Sequence, residues 1–310
     1  MIENVFWTIL QGLWLILFAP LVAGIMNKAK AIMQGRNGPR ILQPYYDLNK
    51  YFKKDALFSM HISWITKATP YILFGVTLAS SLLVPLFSNG LMMTGDFLLF
   101  IYLLAMGRFF TALAALDTGS SFGGMGASRE LALNTVIEPA FLLAVLSIII
   151  SAGSTSFTTI LTSILEQQFL FSLPYFLMMF AMLLVILGEA GKIPIDNADT
   201  HLELTMIHDG MNLEYSGRYY GLMKLSSQMK QLLFMSIFII IFFPFEFFQE
   251  TNFMNTLYNI VIFSGKIIVL GIFISFIEMV YAKVRLYQVP KLYVTSMTFS
   301  LLAIIVSVLF

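Results

Sequence analysis

Long stretches without a charged residue constrain this chain more than any other feature. Residues 5–27, 68–95, 139–165 and 292–310 contain no Asp, Glu, Lys or Arg. At a rise of about 1.5 Å per residue, a helix of about 20 residues crosses the roughly 30 Å hydrocarbon core of a bilayer. The strands of a membrane barrel would alternate polar and apolar residues, and these stretches do not. The sequence therefore predicts an all-α, polytopic membrane helix bundle.

The composition agrees with that class and limits the chemistry. Hydrophobic residues make up 58% of the 310 residues and charged residues 11%, whereas soluble proteins average about 45–50% and about 25%. The chain has no cysteine, which excludes disulfides and thiolate-bound metal clusters within it. Any redox centre that works with this protein is therefore expected on another subunit, or bound weakly.

Hydrophobic segments predict about eight spans within a single membrane domain, residues 1–310. Their expected positions are about 5–26, 69–88, 97–116, 131–152, 173–191, 229–248, 256–282 and 292–310. We expect the first span to be retained, because neither a basic n-region nor a small-residue cleavage site flanks it. No internal repeat of the kind that many secondary transporters carry is visible.

Basic residues divide the connecting loops into two classes. Of the 18 Lys and Arg residues, Arg108 and Lys266 fall well inside predicted spans, and all the others, including Lys230 at the start of the span 229–248, fall on one side of the membrane. Cytoplasmic loops carry an excess of Lys and Arg. This rule predicts that both termini lie outside and that the segments about 27–68, 117–130 and 192–228 are cytoplasmic.

The first of these segments predicts a helix on the membrane surface. Its apolar residues recur at helical spacing; they are Ile41, Leu42, Tyr45, Leu48 and Phe52. Pro44 is compatible with the start of a helix. A basic membrane anchor is the alternative interpretation, but the turn residues of "GRNGPR" indicate a more specific structure.

The segment 188–217 is acidic although it follows an apolar span. Its carboxylates are Glu189, Asp196, Asp199, Glu203, Asp209 and Glu214. Neighbouring carboxylates raise one another's pKa, which allows protons to be held and passed on near neutral pH. A solvated acidic loop is the simpler alternative. A metal site at His201, Glu203 and His208 is disfavoured, because two turns of helix separate the histidines and no common ligand motif fits.

Charges inside the predicted spans are costly and usually mark a pathway or a paired network. They are Arg108, Glu138, Glu189, Lys266 and Glu278. Lys266 and Glu278 are separated by about 18 Å along one helix, so each needs a partner from elsewhere. Buried pairs that only fix helix packing are one interpretation. A charged track through part of the membrane explains all five residues together.

Four motifs, in order, resemble one family over essentially the whole chain. They are "GRNGPRILQPYYDLNKYFKKD", "RFFTALAALDTGSSFGGMGASRELALNTVIEP", "EAGKIPIDNADTHLELTMIHDGMNLEYSG" and "EMVYAKVRLYQVPK". The family comprises subunit 1 of respiratory complex I and the corresponding membrane subunit of energy-converting group 4 nickel–iron hydrogenases, which include the formate hydrogenlyases. The compact first loop and "DTGSSFGGMGASRE" are more similar to the hydrogenase branch, and these departures from complex I weaken the expectation of a quinone site.

The resemblance implies a fold, partners and roles for residues. It implies a cofactor-free subunit that docks a peripheral arm, made of a hydrogenase-like large subunit and an iron–sulfur small subunit, beside antiporter-like membrane subunits. The nickel–iron centre and the iron–sulfur clusters are expected on those partners. The positions that match docking residues are Arg36, Arg40, Asp47, Asp117, Arg129, Glu130 and the loop 196–217.

The same resemblance implies an ion path. Glu138 and Glu189 occupy the places of the family's membrane carboxylates. The other expected members are Arg108, Lys266 and Glu278, with Asp196, Asp199, Glu203 and Glu214 at the entrance. We expect Glu138→Gln or Glu189→Gln to lower ion pumping and to leave assembly intact.

Three functions remain open at this stage. The favoured one couples hydrogen evolution, from ferredoxin or formate, to translocation of H⁺ or Na⁺. The second is the quinone-module subunit of a complex I-type oxidoreductase, and the third is a stand-alone ion transporter. An independent enzyme is disfavoured, because the sequence contains no nucleophile–base arrangement and no phosphate loop.

Overall fold

The computed structural model describes residues 2–59, 62–86, 95–166, 172–192, 207–244, 253–282 and 284–309. Within these ranges the structure consists of helices and turns. The helices are α1 (Ile2–Met33), α2 (Gln43–Lys53), α3 (Trp64–Leu83), α4 (Phe97–Asp117), α5 (Ser121–Ala152), α6 (Phe157–Glu166), α7 (Leu173–Glu189), α8 (His208–Met211), α9 (Gly217–Phe242), α10 (Phe253–Val280) and α11 (Val289–Leu309). The predicted all-α fold is confirmed.

The predicted spans correspond to α1, α3, α4, α5, α7, α9, α10 and α11. Among the described residues, six of these helices are long and apolar enough to cross a membrane, namely α1, α4, α5, α9, α10 and α11. The α7 helix is apolar but has 17 residues, and the 20-residue α3 helix contains Lys67 in its first turn. The chain is a multi-pass membrane protein.

The α9 helix forms the centre of the bundle. It is the most buried of the six long apolar helices, and it packs against α1, α2, α3, α7 and α10. Around it, α3 pairs with α4, α1 pairs with α10, and α11 packs against both α5 and α7. We call the end of the bundle where α4 and α7 end and α5 and α9 begin the basic end.

The helix predicted for the first segment is present as α2 at the basic end, and its place on the membrane surface stays a prediction. Pro44 lies in its first turn, where the missing N–H of proline costs nothing. Pro44 and Leu48 are buried, and α2 packs against α1 and α9. A Cβ on Gly24 of α1 would overlap the carbonyl oxygen of Ile41. Glycine at this position therefore allows the chain that enters α2 to lie directly on α1.

Two helices begin well before their predicted starts, and both predictions of a loop there were wrong. The α5 helix begins at Ser121 instead of residue 131, with the Ser120 hydroxyl accepting a hydrogen bond from the Gly123 amide at 3.0 Å. A Cβ on Gly126 would lie 3.1 Å from the Met211 nitrogen. Glycine at position 126 therefore lets α8 pack closely on the first turns of α5. Similarly, α9 begins at Gly217 instead of residue 229.

The "EYSG" motif ties two segments of the basic end together. The Tyr215 hydroxyl donates to the Thr66 carbonyl oxygen at 2.9 Å, and burial raises the pKa of that hydroxyl. The Ser216 hydroxyl accepts from the Leu57 amide at 2.8 Å and donates to the Leu57 carbonyl at 2.9 Å. Gly217 has a φ of +53°, which glycine adopts without strain. The motif thus fixes the start of α9 against the segment between α2 and α3.

Candidate functional site

Four charged side chains from four different helices meet inside the bundle. Arg108 of α4 lies between two carboxylates: its Nη2 is 3.1 Å from Glu138 Oε1 on α5, and its Nη1 donates to Glu189 Oε1 at the end of α7. Lys230 of α9 places its Nζ 2.8 Å from Glu189 Oε2. We call these four residues the Arg108 cluster.

Burial differs sharply between the two carboxylates of the Arg108 cluster. The Glu189 side chain is 2% exposed, whereas that of Glu138 is 43% exposed. An unpaired charge within a membrane protein is expensive, and the two cations next to Glu189 offset that cost. The Arg108 guanidinium therefore connects a fully buried carboxylate to one that reaches the outer surface of the bundle.

Two further ion pairs lie near the Arg108 cluster. Glu130 of α5 is buried, and its Oε2 is 3.4 Å from His208 Nε2 on α8. Glu278 of α10 is also buried, and its Oε1 is 4.0 Å from the Lys192 Nζ. Each pair therefore joins a buried carboxylate to a more exposed basic group.

A cavity of about 820 Å³ connects these groups. Arg108, Glu189 and Lys230 line it from one side, together with both further ion pairs. Its other polar lining residues include Asn27, Lys30, Gln34, Arg36, Thr77, Thr111, Asp209, Asn212, Lys224, Ser226, Ser227, Gln228 and Gln231. A cavity with many polar partners can hold ordered water. Such a chamber can bring protons or hydrated ions to the buried carboxylates.

The structure brings some of the expected ion-path residues together and separates others. Arg108, Glu138 and Glu189 are in contact, and Glu278 lines the same cavity. Lys266 lies about three turns before Glu278 on α10. Its Nζ is 3.5 Å from the Phe243 carbonyl oxygen. Because Phe243 follows the last residue of α9, Lys266 belongs to the end of the bundle opposite the basic end.

The expected entrance residues are only partly covered by the structure. Glu214 is exposed and does not contribute to the lining of the cavity within the described residues. Asp196, Asp199 and Glu203 lie outside the described residues, and so does His201. Their role at an entrance therefore stays a prediction. Among the residues that the structure covers, no three or more His, Asp or Glu side chains come together to hold a metal ion.

The residues expected to dock a peripheral arm occupy different environments. Arg36 and Arg40 are exposed, and Arg36 also lines the mouth of the cavity. The Asp47 carboxylate accepts a hydrogen bond from the side-chain amide of Gln43 at 3.1 Å. Arg129 is half-buried.

Asp117 and Glu130 depart from the expected docking surface. Asp117 accepts hydrogen bonds from the Ser63 amide at 2.9 Å and the Thr66 hydroxyl at 2.5 Å, so it caps the start of α3. Glu130 was expected on a surface loop, but it is 5% exposed and faces the cavity. The correction follows from the early start of α5, which places Glu130 on the inner face of a helix.

Sequence reasoning missed Lys230, and it considered His208 only as a metal ligand. Lys230 was counted among the basic residues of one side, at the start of the span 229–248, but α9 begins 13 residues before it and carries it into the bundle. A helix that starts at Gly217 runs for more than three turns before it reaches Lys230. A search for a helix start at that glycine could therefore have placed Lys230 inside the bundle. His208 and Lys192 carried no comparable signal, because their partners are remote in sequence.

Comparison with known proteins shows which proteins this chain resembles. The family model described as NADH dehydrogenase matches residues 7–309. The chain is 33% identical over 304 residues to formate hydrogenlyase subunit 4 of Escherichia coli (strain K12), covering 97% of this chain and 98% of that protein. It is 34% identical over 302 residues to hydrogenase-4 component C of the same organism, covering 97% and 94%.

A solved structure shares the fold. A chain of the membrane-bound sulfane sulfur reductase, an archaeal respiratory membrane complex, superimposes with a TM-score of 0.82 at 23% identity. The match covers 97% of this chain and 99% of that chain. The two chains therefore share one fold over nearly all of their length.

Proposed function

This chain belongs to the NADH dehydrogenase family, and from that premise we propose that it is the membrane subunit of a group 4 hydrogenase-type complex. It docks a hydrogenase-like large subunit and an iron–sulfur small subunit to the membrane. It couples hydrogen evolution, from ferredoxin or formate, to translocation of H⁺ or Na⁺. The nickel–iron centre and the iron–sulfur clusters belong to the partner subunits.

The observation that carries this proposal is the Arg108 cluster beside a polar cavity. A cavity at the basic end supplies water and protons to Glu189, and Arg108 connects Glu189 to Glu138. Glu138 is 43% exposed, and an ionisable group at the membrane face needs a partner there. An antiporter-like membrane subunit that packs against α5 at Glu138 provides this partner and receives the ion.

The basic end is the docking surface for the peripheral arm. By the positive-inside rule it faces the cytoplasm, and both termini lie outside. Arg36 lies both on this surface and at the mouth of the cavity. A docked subunit that changes its charge during electron transfer therefore acts on the cavity directly.

The coupling step is a change in how carboxylates share protons. Carboxylates that interact strongly release protons in steps that belong to the whole group. When the docked arm becomes more negative, a proton is drawn into the cavity and held at Glu130, whereas Glu189, which is paired with Arg108 and Lys230, only passes it on. When the arm returns to its starting charge, the proton leaves through Glu138. Lys230 and His208 balance the charge of the carboxylate that has lost its proton.

One observation favours a second candidate function, quinone reduction in a complex I-type oxidoreductase. The cavity volume of about 820 Å³ falls within the range of small-molecule sites, about 300–1,000 Å³. Such sites are lined mainly by apolar and aromatic side chains, and this cavity carries Arg108, Glu189 and Glu278 in its wall. The charged lining therefore favours water over a quinone ring.

Purification of the intact complex tests the proposal. The subunit is tagged and extracted in mild detergent, and the complex that copurifies is assayed for nickel and for hydrogen evolution from a low-potential donor. We expect nickel, iron–sulfur clusters and hydrogen evolution. A nickel-free complex with quinone-dependent activity would instead establish the second candidate. A chain that purifies without partners and moves ions alone would contradict docking.

A further inference from the structure

Tyr293 is a fully buried tyrosine whose hydroxyl is not part of the proposed ion path. It lies in the second turn of α11 and is 0% exposed. Within the described residues its hydroxyl has no hydrogen-bond partner. A buried hydroxyl without a partner costs about 1–3 kcal/mol, and phenylalanine would fill the same space without that cost. The hydroxyl therefore needs an explanation.

The place of Tyr293 between the helices that carry Glu130 and Glu189 supplies an explanation for its hydroxyl. The α11 helix packs against both α5 and α7, which carry Glu130 and Glu189 respectively. The charges of Glu189, Glu130 and Arg108 all act on Tyr293. Tyr293 therefore packs between α5 and α7 on the same side of the bundle as Glu130 and Glu189.

Two contacts fix the ring at this place. A Cβ on Gly188, the residue before Glu189, would overlap the Tyr293 hydroxyl and ring. The hydroxyl therefore rests directly on the backbone of α7. Along α11, the Ser296 hydroxyl donates to the Ala181 carbonyl oxygen of α7 at 2.8 Å. These contacts leave the Tyr293 ring little freedom to move away.

Other polar atoms of the same region also lack hydrogen bonds. Glu130 Oε2 and Arg108 Nε are both buried and have no hydrogen-bond partner in the described part of the chain. A buried water typically makes about three hydrogen bonds to groups that would otherwise be unsatisfied. Glu130 Oε2 is an acceptor, Arg108 Nε is a donor and the Tyr293 hydroxyl can serve as either, which is the combination of groups that a bound water satisfies.

We propose that Tyr293 is a positioning residue whose hydroxyl holds an ordered water between Glu130 and the Arg108 cluster. The proposal rests on the proposed function, because it gives a route by which a proton held at Glu130 reaches Glu189. The proton passes from Glu130 to the water, and the water releases another proton toward Glu189. Tyr293 orients the water through a hydrogen bond and keeps its own proton.

Tyr293→Phe in the intact complex is the direct test, because it removes one oxygen and keeps the ring. Tyr175→Phe is the matched control: Tyr175 is also buried, but its hydroxyl donates to the Ile241 carbonyl oxygen at 3.2 Å, near the opposite end of the bundle. Both variants are reconstituted in liposomes, and the ions moved per redox turnover are measured across a range of pH. A density map of each complex locates bound water.

We expect Tyr293→Phe to assemble and to keep its redox rate, while its ion-to-turnover ratio falls several-fold and the water density disappears. Tyr175→Phe keeps the wild-type ratio. A wild-type ratio in Tyr293→Phe, or wild-type density without water at Tyr293, would overturn the proposal. The proposed function is tested separately by Glu138→Gln: if that variant loses pumping while Tyr293→Phe retains it, only the role of Tyr293 fails.

Discussion

Arg108 is the residue on which the charge balance of the site depends. One guanidinium serves Glu138 and Glu189 at once, and it is itself buried. Arginine suits this role because its planar group presents five donors and stays protonated. Removal of the cation leaves Lys230 as the partner of Glu189 within the Arg108 cluster, and Glu138 loses its guanidinium partner.

We predict that Arg108→Gln destabilises the protein by about 3–5 kcal/mol, because breaking a buried ion pair leaves an uncompensated charge. The melting temperature of the detergent-solubilised complex measures this. Arg40→Gln, at an exposed position, is the control and should change stability by less than about 0.5 kcal/mol. The double variant Arg108→Gln/Glu138→Gln should recover part of the loss, because Glu138 is the carboxylate that loses its partner and Lys230 still pairs with Glu189. Equal melting temperatures for Arg108→Gln and Arg40→Gln would contradict the role of Arg108 in the cluster.

The same geometry changes the expectation for Glu189→Gln. Because Glu189 is paired with both Arg108 and Lys230, its neutralisation removes the carboxylate that balances the buried Arg108 and the half-buried Lys230. This variant should therefore lower stability as well as pumping. Glu138→Gln tests coupling more cleanly, because the half-exposed Glu138 side chain has water or a partner subunit available to it.

At the scale of helices, close backbone contacts determine where α2 lies. The Ile41 carbonyl oxygen lies directly against Gly24 of α1, where any side chain would overlap it. This contact sets the position of the chain that leads into α2. The consequence reaches the site, because Arg36 and Gly38 of the same connection line the mouth of the cavity.

We predict that Gly24→Ala destabilises the protein by about 1–3 kcal/mol, since overpacking forces backbone shifts of that cost. Gly75→Ala is the matched control: Gly75 is also inside a helix, but no atom lies within 4 Å of its added Cβ. Alanine favours a helix over glycine by about 1 kcal/mol, so the control should be neutral or more stable. Melting temperatures compare the two, and a loss in Gly75→Ala as large as in Gly24→Ala would contradict the packing argument.

The sequence predicted the helices better than their ends. Long apolar stretches suffice to predict the spans. The few charged residues inside the predicted spans then identified Arg108, Glu138 and Glu189. The start of α5 was placed ten residues too late, and the helix that carries Glu130 is packed there by α8, whose backbone lies against Gly126. That contact depends on residues far away in the sequence. For the same reason the partners Lys230 and His208 could not be assigned from local patterns.

At the scale of the whole molecule, the proposed orientation predicts which surfaces face the cytoplasm. The chain has no cysteine, so single cysteines can be introduced and labelled with a membrane-impermeant reagent. We expect Lys53→Cys on α2 to react only from the cytoplasmic side, and Gly153→Cys, in the exposed turn after α5, only from outside. The opposite pattern would reverse the membrane orientation and remove the cytoplasmic docking surface.

The central proposal for the whole molecule is that redox turnover of the complex moves ions through the Arg108 cluster. The most direct measurement is the number of ions transported per hydrogen evolved by the intact complex in liposomes, compared between wild type, Glu138→Gln and Asp55→Asn. Asp55 is an exposed carboxylate of the basic end, and its variant should match wild type. We predict that Glu138→Gln evolves hydrogen at a rate near that of wild type but transports far fewer ions. A wild-type ratio in Glu138→Gln would contradict the path proposed here.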